Sequence, residues 1–177
     1  MKNPIRRTAS RQAYDGNLVR VRVDDVILPR GTGAVFEFVE VNPGVCVLPL
    51  TDQLEVTLVR EWKYAVDRPS IECVCGGLEP GESALDAAAR ELREEAGLTA
   101  SEYIAMGTVD PFTSMLLSPT GLFVARNLAA VPHEREEAEV IEVLHMPLEE
   151  AVSLVMNDEI THGASCTLIL KAARQFR

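Results

Sequence analysis

One segment, residues 76–98, constrains the fold and the chemistry of this 177-residue chain more than any other. Its sequence, GGLEPGESALDAAARELREEAGL, places glycines, one arginine and several glutamates at fixed spacings. The fixed positions are Gly76, Glu82, Arg90, Glu91, Glu94, Glu95 and Gly97, with Leu92 and Leu98 at the aliphatic positions. A plain surface helix does not need this combination, so the segment is expected to carry function.

The middle of this segment is predicted to form a helix between Ser83 and Gly97. Ser83 is a preferred N-cap residue, and Asp86 three positions later completes an acidic variant of the capping box. Gly97 tolerates the left-handed conformation that often follows the last helical residue. Small and apolar residues recur at intervals of three and four, which predicts one face packed on a core. These residues are Leu85, Ala88, Ala89, Leu92 and Ala96.

Three glutamates of the predicted helix, Glu91, Glu94 and Glu95, lie off that apolar face. Residues three and four apart are neighbours on a helix surface, so these carboxylates are expected to converge and to repel one another. A hard divalent cation such as Mg²⁺ or Mn²⁺ would offset the repulsion, since it prefers oxygen ligands and is often shared with substrate phosphates. The pattern therefore indicates metal-dependent phosphate chemistry, with a merely solvated acidic face as the alternative.

The segment resembles the signature of the Nudix family at every defined position. That resemblance implies an α+β fold, a Nudix-type α/β/α sandwich in which a mixed β-sheet lies between helices. It implies that Arg90 orients the carboxylates through charge-assisted hydrogen bonds. The implied ligands of Mg²⁺ or Mn²⁺ are Glu91, Glu94, Glu95 and the backbone carbonyl of Cys75, with Gly76 and Glu82 supporting them from beside the metal.

The residues before the helix resemble one branch of this family, the ADP-ribose and nucleoside-diphosphate-sugar pyrophosphatases. VREWKYAVDRPSIECVCGGLEPGE has a basic and aromatic stretch followed by a glutamate on the strand that enters the signature. The implied substrate contacts are Arg60, Trp62, Lys63, Arg68 and Glu72. For the three basic residues a surface position is the alternative, and for Trp62, which could stack on a nucleobase, the alternative is a core position. The branch often has arginine where Lys63 stands, and lysine offers a point charge rather than a bidentate fork.

An acidic stretch, REEAEVIEV at 135–143, resembles the loop from which that branch supplies a general base or a further metal ligand. Glu137 and Glu139 are the candidates for this role, beside Arg90, Glu94 and Glu95 as the other catalytic residues. The implied reaction is metal-dependent attack of water on a pyrophosphate bond. ADP-ribose is the expected substrate. Another nucleoside diphosphate derivative, such as GDP-mannose or a dinucleoside polyphosphate, and a non-hydrolytic module that binds a nucleotide sugar are the alternatives.

Composition limits the other functional classes. A chain with 47% hydrophobic residues can bury the core of one domain, here residues 1–177 with residues 1–16 as a flexible N-terminal extension. The net charge of -10 argues against nonspecific binding to nucleic acid or to an anionic membrane. A soluble cytoplasmic protein is expected, because the sequence has neither a signal peptide nor a long apolar span. The resemblance further implies a homodimer with N-terminal strands in its interface.

The four cysteines have no zinc-type spacing and are expected to be reduced, core-filling residues. The three histidines have no partner pattern and are not proposed as catalytic. Stretches rich in Val, Phe and Leu predict strands at 18–23, 34–41, 44–50, 54–62, 102–109, 121–128 and 139–146. Two further helices are predicted at about 148–157 and 161–175.

Overall fold

The computed structural model of the protein describes residues 2–132 and 141–176. The chain divides into two compact units, one built from residues 1–42 and 110–119 and the other from residues 43–109 and 120–177. The elements are, in chain order, β1 (Arg6–Asp15), β2 (Val19–Ile27), β3 (Gly33–Val41), β4 (Gly44–Pro49), β5 (Glu55–Lys63), a 3₁₀ turn (Tyr64–Val66), β6 (Arg68–Glu72), β7 (Val74–Gly77), α1 (Ala84–Ala96), β8 (Leu98–Val109), β9 (Leu116–Leu117), β10 (Thr120–Ala130), β11 (Glu142–Pro147), α2 (Leu148–Met156) and α3 (Gly163–Gln175).

The first unit is a four-stranded sheet in the order β1-β2-β3-β9. The first three strands pair antiparallel, and the two-residue strand β9 pairs parallel to β3. Residues 6–15, which the sequence assigned to an N-terminal extension, form β1 and are exposed along the whole strand. Their sequence, RRTASRQAYD, has no alternation of apolar and polar residues, so the pairing with β2 is what defines this strand.

The second unit contains two sheets. The first has the order β7-β4-β10-β8, with β4 and β10 parallel and the other neighbours antiparallel, so it is mixed. The second is antiparallel in the order β11-β5-β6. Strand β7 therefore lies at the edge of the mixed sheet, immediately before the segment that leads into α1.

Helices cover both faces of the mixed sheet because side chains alternate along its strands. Val45 and Val47 of β4 pack in one buried cluster with residues of α1. Cys46 and Leu48, which point the other way, pack in a second cluster with residues of α2 and α3. This arrangement confirms the predicted α+β class and the α/β/α layering.

The ends of α1 confirm the predicted capping residues. The backbone N–H of Asp86 donates to the Ser83 hydroxyl at 3.2 Å, and that hydroxyl donates to the Asp86 carboxylate at 2.7 Å. Gly97 follows the helix with φ 63°. The predicted packed face was wrong at Leu85, which is 48% exposed while Ala87 is buried instead. It was also wrong at Glu91, which was expected to lie off this face but is buried. In the described part of the chain, the longest helices have 13 residues, and no helix has the length and apolarity needed to cross a membrane.

Candidate active site

The guanidinium of Arg90 is the centre of a hydrogen-bond network between α1 and the segment before it. Its Nε and Nη2 atoms each donate to one carboxylate oxygen of Glu82 at 3.0 Å. Its Nη1 atom donates to Glu91 at 2.8 Å and to Glu94 at 3.1 Å. Nη2 also donates to the carbonyl oxygen of Gly77 at 2.9 Å. One planar cation thus sets the positions of three carboxylates and fixes them relative to β7.

The contact between Arg90 and Glu82 keeps both groups ionised. The hydrogen bond from Arg90 lowers the pKa of Glu82, and the backbone N–H of Glu79 lowers it further. In turn, the hydrogen bond with Glu82 raises the pKa of Arg90, against the opposing effect of burial. Glu82 also accepts from the Glu79 N–H at 2.9 Å, which closes the turn before the helix.

Glu91 is a buried carboxylate that rests directly on the backbone of β7. Glu91 is only 9% exposed. A Cβ built on Gly76 would lie 1.7 Å from Glu91 Oε1, so the close approach requires glycine at position 76. Burial raises the pKa of Glu91, while the hydrogen bond from Arg90 works in the opposite direction.

Glu95 reaches β7 one residue earlier. Its carboxylate accepts a hydrogen bond from the backbone N–H of Cys75 at 3.2 Å. Burial is the main reason that the pKa of Glu95 rises to about 8, and the charge of the Cys75 thiolate adds to the effect. The carbonyl oxygen of Cys75, implied as a metal ligand, thus belongs to a residue that Glu95 already contacts.

The oxygen donors of this site are carboxylates and a backbone carbonyl, which suit a hard divalent cation. Gly76, which lacks a side chain, leaves space for the Glu91 carboxylate. Glu94 is more open, with its side chain 33% exposed. In residues 2–132 and 141–176, the carboxylates of Glu91, Glu94 and Glu95 do not all lie within 4.8 Å of one another. Glu91 and Glu94 accept hydrogen bonds from Arg90, whereas Glu95 accepts one from the Cys75 N–H. These separate partners limit the repulsion between the like charges.

Lys63 and Glu72, two of the predicted substrate contacts, lie close to this cluster. Lys63 Nζ donates to Glu61 at 2.5 Å. Burial opposes the charge of Lys63, but the bond to Glu61 and the nearby carboxylates of Glu72 and Glu95 outweigh it and raise its pKa. The lysine therefore stays a cation among carboxylates, on the side of β5 that faces α1.

The other predicted substrate contacts lie elsewhere. Arg60 donates to Glu142 of the neighbouring strand β11 at 2.9 Å. Trp62, two residues later and therefore on the same side of β5, is 56% exposed rather than in the core. Arg68 donates to the hydroxyl of Thr161 at 2.7 Å. The general-base candidates Glu137 and Glu139 lie outside the described residues.

One group of side chains beside this site was not predicted from the sequence. His162, just before α3, lies 3.3 Å from Glu72 Oε2 and 3.9 Å from Cys75 Sγ. The pKa of Cys75 falls to about 6, first because of the hydrogen bond with Cys46 and then, against burial, because of His162. Burial lowers the pKa of His162, but the contact with Cys75 outweighs it, so the net shift is upward. Cys75 and His162 are 87 residues apart, and no local motif links them.

Comparison with known proteins places the chain in a family. A model of the NUDIX domain matches residues 41–164. An ADP-ribose pyrophosphatase of Bacillus subtilis (strain 168) is 32% identical over 160 residues, which cover 86% of this chain and 83% of that protein. A methanol dehydrogenase activator of Bacillus methanolicus is 27% identical over 154 residues, covering 84% and 82%.

A solved structure described as that of an ADP compounds hydrolase has the same fold. It superimposes with a TM-score of 0.84, covers 96% of this chain and 94% of its own, and is 22% identical. Nudix hydrolases generally need divalent metal ions, which agrees with the oxygen donors gathered between α1 and β7. The chain belongs to the Nudix family and is a Nudix pyrophosphohydrolase.

Proposed function

We propose that this protein hydrolyses the pyrophosphate bond of a nucleoside diphosphate sugar, with ADP-ribose as the substrate. The products would be a nucleoside monophosphate and a sugar phosphate. The observation that carries the proposal is the network of Arg90 with Glu82, Glu91 and Glu94 beside the backbone of β7. The relative that is 32% identical and named an ADP-ribose pyrophosphatase supports this choice of substrate.

The residues that would hold the metal are Glu91, Glu94, Glu95 and the carbonyl of Cys75, and the ion would be Mg²⁺ or Mn²⁺. Carboxylate and carbonyl oxygens are the ligands that these hard cations prefer. When bound, such an ion neutralises phosphate charge and lowers the pKa of its water, so that hydroxide is available near neutral pH. Arg90 prepares this arrangement, because its hydrogen bonds hold Glu91 and Glu94 in position before any ligand arrives.

The remaining roles belong to side chains other than the metal ligands and Arg90. Lys63 keeps its charge beside Glu72 and Glu95, so its ammonium would attract a diphosphate oxygen and stabilise charge that develops on the leaving phosphate. Glu137 or Glu139 would accept the proton of the attacking water. Arg60, Trp62 and Arg68 would contact the parts of the substrate farther from the diphosphate, with Trp62 offering an exposed ring for stacking.

A product analysis tests the proposal. The protein would be incubated with Mg²⁺ or Mn²⁺ and, separately, with ADP-ribose, GDP-mannose and a diadenosine polyphosphate, and the products would be resolved by chromatography. AMP and ribose 5-phosphate from ADP-ribose, formed faster than products from the other compounds, are expected. A faster reaction with another compound would make that compound the substrate and would leave the chain a Nudix pyrophosphohydrolase. Binding of ADP-ribose without turnover under all conditions would favour a binding module instead.

We also propose that the protein is cytoplasmic and forms a homodimer through its first unit. Strand β1 lies at the end of the sheet order β1-β2-β3-β9 and is exposed along its length. Such an edge is a template for pairing with a second chain. Sedimentation of the full chain is expected to give a dimer, and deletion of residues 1–15 is expected to give a monomer. A monomeric full chain would contradict the proposal.

A further inference from the structure

Three side chains beside the catalytic carboxylates form a group of a different chemical type. They are Glu72, Cys75 and His162, called the Glu-Cys-His group below. One ligand atom from each lies within 4.8 Å of the other two. His162 Nδ1 is 3.3 Å from Glu72 Oε2 and 3.9 Å from Cys75 Sγ. In the part of the chain that the structure describes, this is the group that meets the spacing of a metal site.

The group is built on three separate elements of the second unit. Glu72 is the last residue of β6, Cys75 lies in β7, and His162 is the N-cap residue of α3. The His162 side chain does not cap its own helix, and its Nδ1 atom forms a hydrogen bond of 2.9 Å with Ser165 Oγ that an ion bound through Nδ1 would replace. Ser165 in turn accepts from the backbone N–H of Cys73 at 2.9 Å. The three residues are thus positioned by two strands and the start of a helix.

Two of the three distances between ligand atoms are close to those of a tetrahedral transition-metal site, and the third, between Glu72 and Cys75, is within 4.8 Å. With ordinary Zn²⁺ bond lengths, the edge between a nitrogen and an oxygen ligand is about 3.4 Å, and the edge between a nitrogen and a sulfur ligand is about 3.6 Å. The corresponding distances in the Glu-Cys-His group are 3.3 Å and 3.9 Å. A side-chain movement of less than about 0.5 Å would therefore complete both of these edges.

The donor set selects a different ion from the one that the helix glutamates suit. A thiolate, an imidazole nitrogen and a carboxylate are ligands of Zn²⁺ and related borderline ions, whereas Mg²⁺ prefers oxygen ligands alone. Three protein ligands leave a fourth position for water. The Glu72 side chain is 10% exposed and that of His162 is 34% exposed, so the group is sheltered but open to solvent on the histidine side.

We propose that Glu72, Cys75 and His162 form a second metal site that binds Zn²⁺ or a similar borderline divalent ion, separate from the hard-cation site of α1. The two sites share one residue. The side chain of Cys75 belongs to the Glu-Cys-His group, and its backbone N–H contacts Glu95 of the hard-cation site. An ion in the second site would therefore bind beside the hydrolytic centre without replacing its ligands.

Co²⁺ is the probe that tests this site, because a thiolate ligand gives Co²⁺ a charge-transfer absorption that carboxylates do not. The full chain, reduced and without nucleotide, would be titrated with Co²⁺ in a large excess of Mg²⁺ that fills the carboxylate site. One equivalent of Co²⁺ with a thiolate band is expected, and one equivalent of Zn²⁺ should displace it. Cys75→Ala and His162→Ala should each remove the band or weaken Co²⁺ binding at least about 10-fold.

Matched variants separate this site from adventitious binding. Cys166→Ala and His145→Asn remove the same residue types outside the group and should leave the band unchanged. Cys46→Ala removes the buried thiol next to Cys75 and should also retain the band. Circular dichroism would confirm that each variant is folded, and Glu72→Gln provides a second, milder test of the group.

The outcomes are distinct. Absence of a thiolate band in the wild-type protein would overturn the proposal. A band with undiminished Co²⁺ affinity in His162→Ala or in Cys75→Ala would do the same, and so would a band that Cys46→Ala removes. Because no nucleotide is present and turnover is not the readout, these results are independent of whether ADP-ribose is the substrate.

Discussion

Gly76 and Glu91 are in such close contact that a Cβ at position 76 would lie 1.7 Å from Glu91 Oε1 and 2.0 Å from Glu91 Cδ. Gly76→Ala is therefore expected to push the Glu91 carboxylate away from β7 and away from Arg90. Because a displacement of about 1 Å at a reacting centre can reduce turnover about 100-fold, a loss of that order in kcat is expected. Steady-state kinetics with Mg²⁺ would measure it.

The next residue provides the matched control. A Cβ on Gly77 would meet nothing within 4 Å, so Gly77→Ala should behave like an ordinary surface substitution and change kcat by no more than about three-fold. The carbonyl of Gly77, which accepts from Arg90, is retained in that variant. Equal losses in the two variants would contradict the role assigned to the Gly76–Glu91 contact.

Arg90→Lys tests whether the planar fork of the guanidinium is needed. Lysine keeps the charge but cannot reach Glu82, Glu91 and Glu94 together in the geometry that arginine provides. Of these partners Glu91 is buried, and a hydrogen bond to a charged group contributes about 1.5–3 kcal/mol, so loss of the bond to Glu91 is expected to lower the free energy of unfolding by an amount of that order. Urea denaturation would measure the change, and kcat should fall with it.

The control for this variant is Arg174→Lys, which makes the same substitution on the exposed surface of α3. Its free energy of unfolding should stay within about 0.5 kcal/mol of the wild type. If Arg90→Lys were as stable and as active as Arg174→Lys, the network around Arg90 would have no measurable part in positioning the carboxylates.

Glu94→Gln tests the metal-binding role of a partly exposed helix glutamate. The fold should be retained because the side chain is partly exposed and glutamine has nearly the same shape. Hydrolysis should fall at least about 100-fold, since the metal would lose a charged ligand. Turnover at saturating Mg²⁺ and the Tm of the variant would be measured beside Glu150→Gln on α2. Near-wild-type turnover of Glu94→Gln would rule out this residue as a ligand.

Much of the fold follows from local patterns in the sequence. Among the described residues, seven of the strands and all three α-helices were predicted, because apolar runs, capping residues and helical spacing are local signals. Strand β1 was missed since its stability comes from pairing with β2 and not from its own composition. Leu85 was wrongly placed in the core, because helical spacing alone did not show which way α1 is rotated, and Ala87 is buried there instead.

The residues of the candidate site likewise fall into those that local sequence patterns predict and those that depend on the tertiary fold. Arg90 and the helix glutamates could be predicted because their spacing lies within one helix and its preceding turn. The position of His162 beside Cys75 could not, because it depends on where the first residue of α3 meets β7, 87 residues away in the chain. Likewise, the separation of Lys63 from Arg60 and Trp62 depends on which side of β5 faces α1.

The raised pKa of Glu95 predicts a dependence of stability on pH. Its pKa rises from the ordinary 4.5 to about 8, mainly through burial. Between these values the folded protein holds a proton that the unfolded chain has released, so this carboxyl contributes stability at low pH that is lost as pH rises towards about 8. Cys75, with its pKa lowered to about 6, works in the opposite direction above that pH. The difference between wild type and Glu95→Gln therefore isolates the contribution of Glu95.

Urea denaturation with EDTA and a reductant, at several pH values from about 5 to about 8, would measure this difference. The stability of the wild type relative to Glu95→Gln is expected to decrease steadily across the series, because glutamine does not titrate. Excess Mg²⁺ should reverse part of the decrease near pH 8, since a ligand that binds only the folded state stabilises it. Parallel curves for the two proteins would show that Glu95 does not hold its proton in this range, and its burial beside Cys75 would then need another explanation.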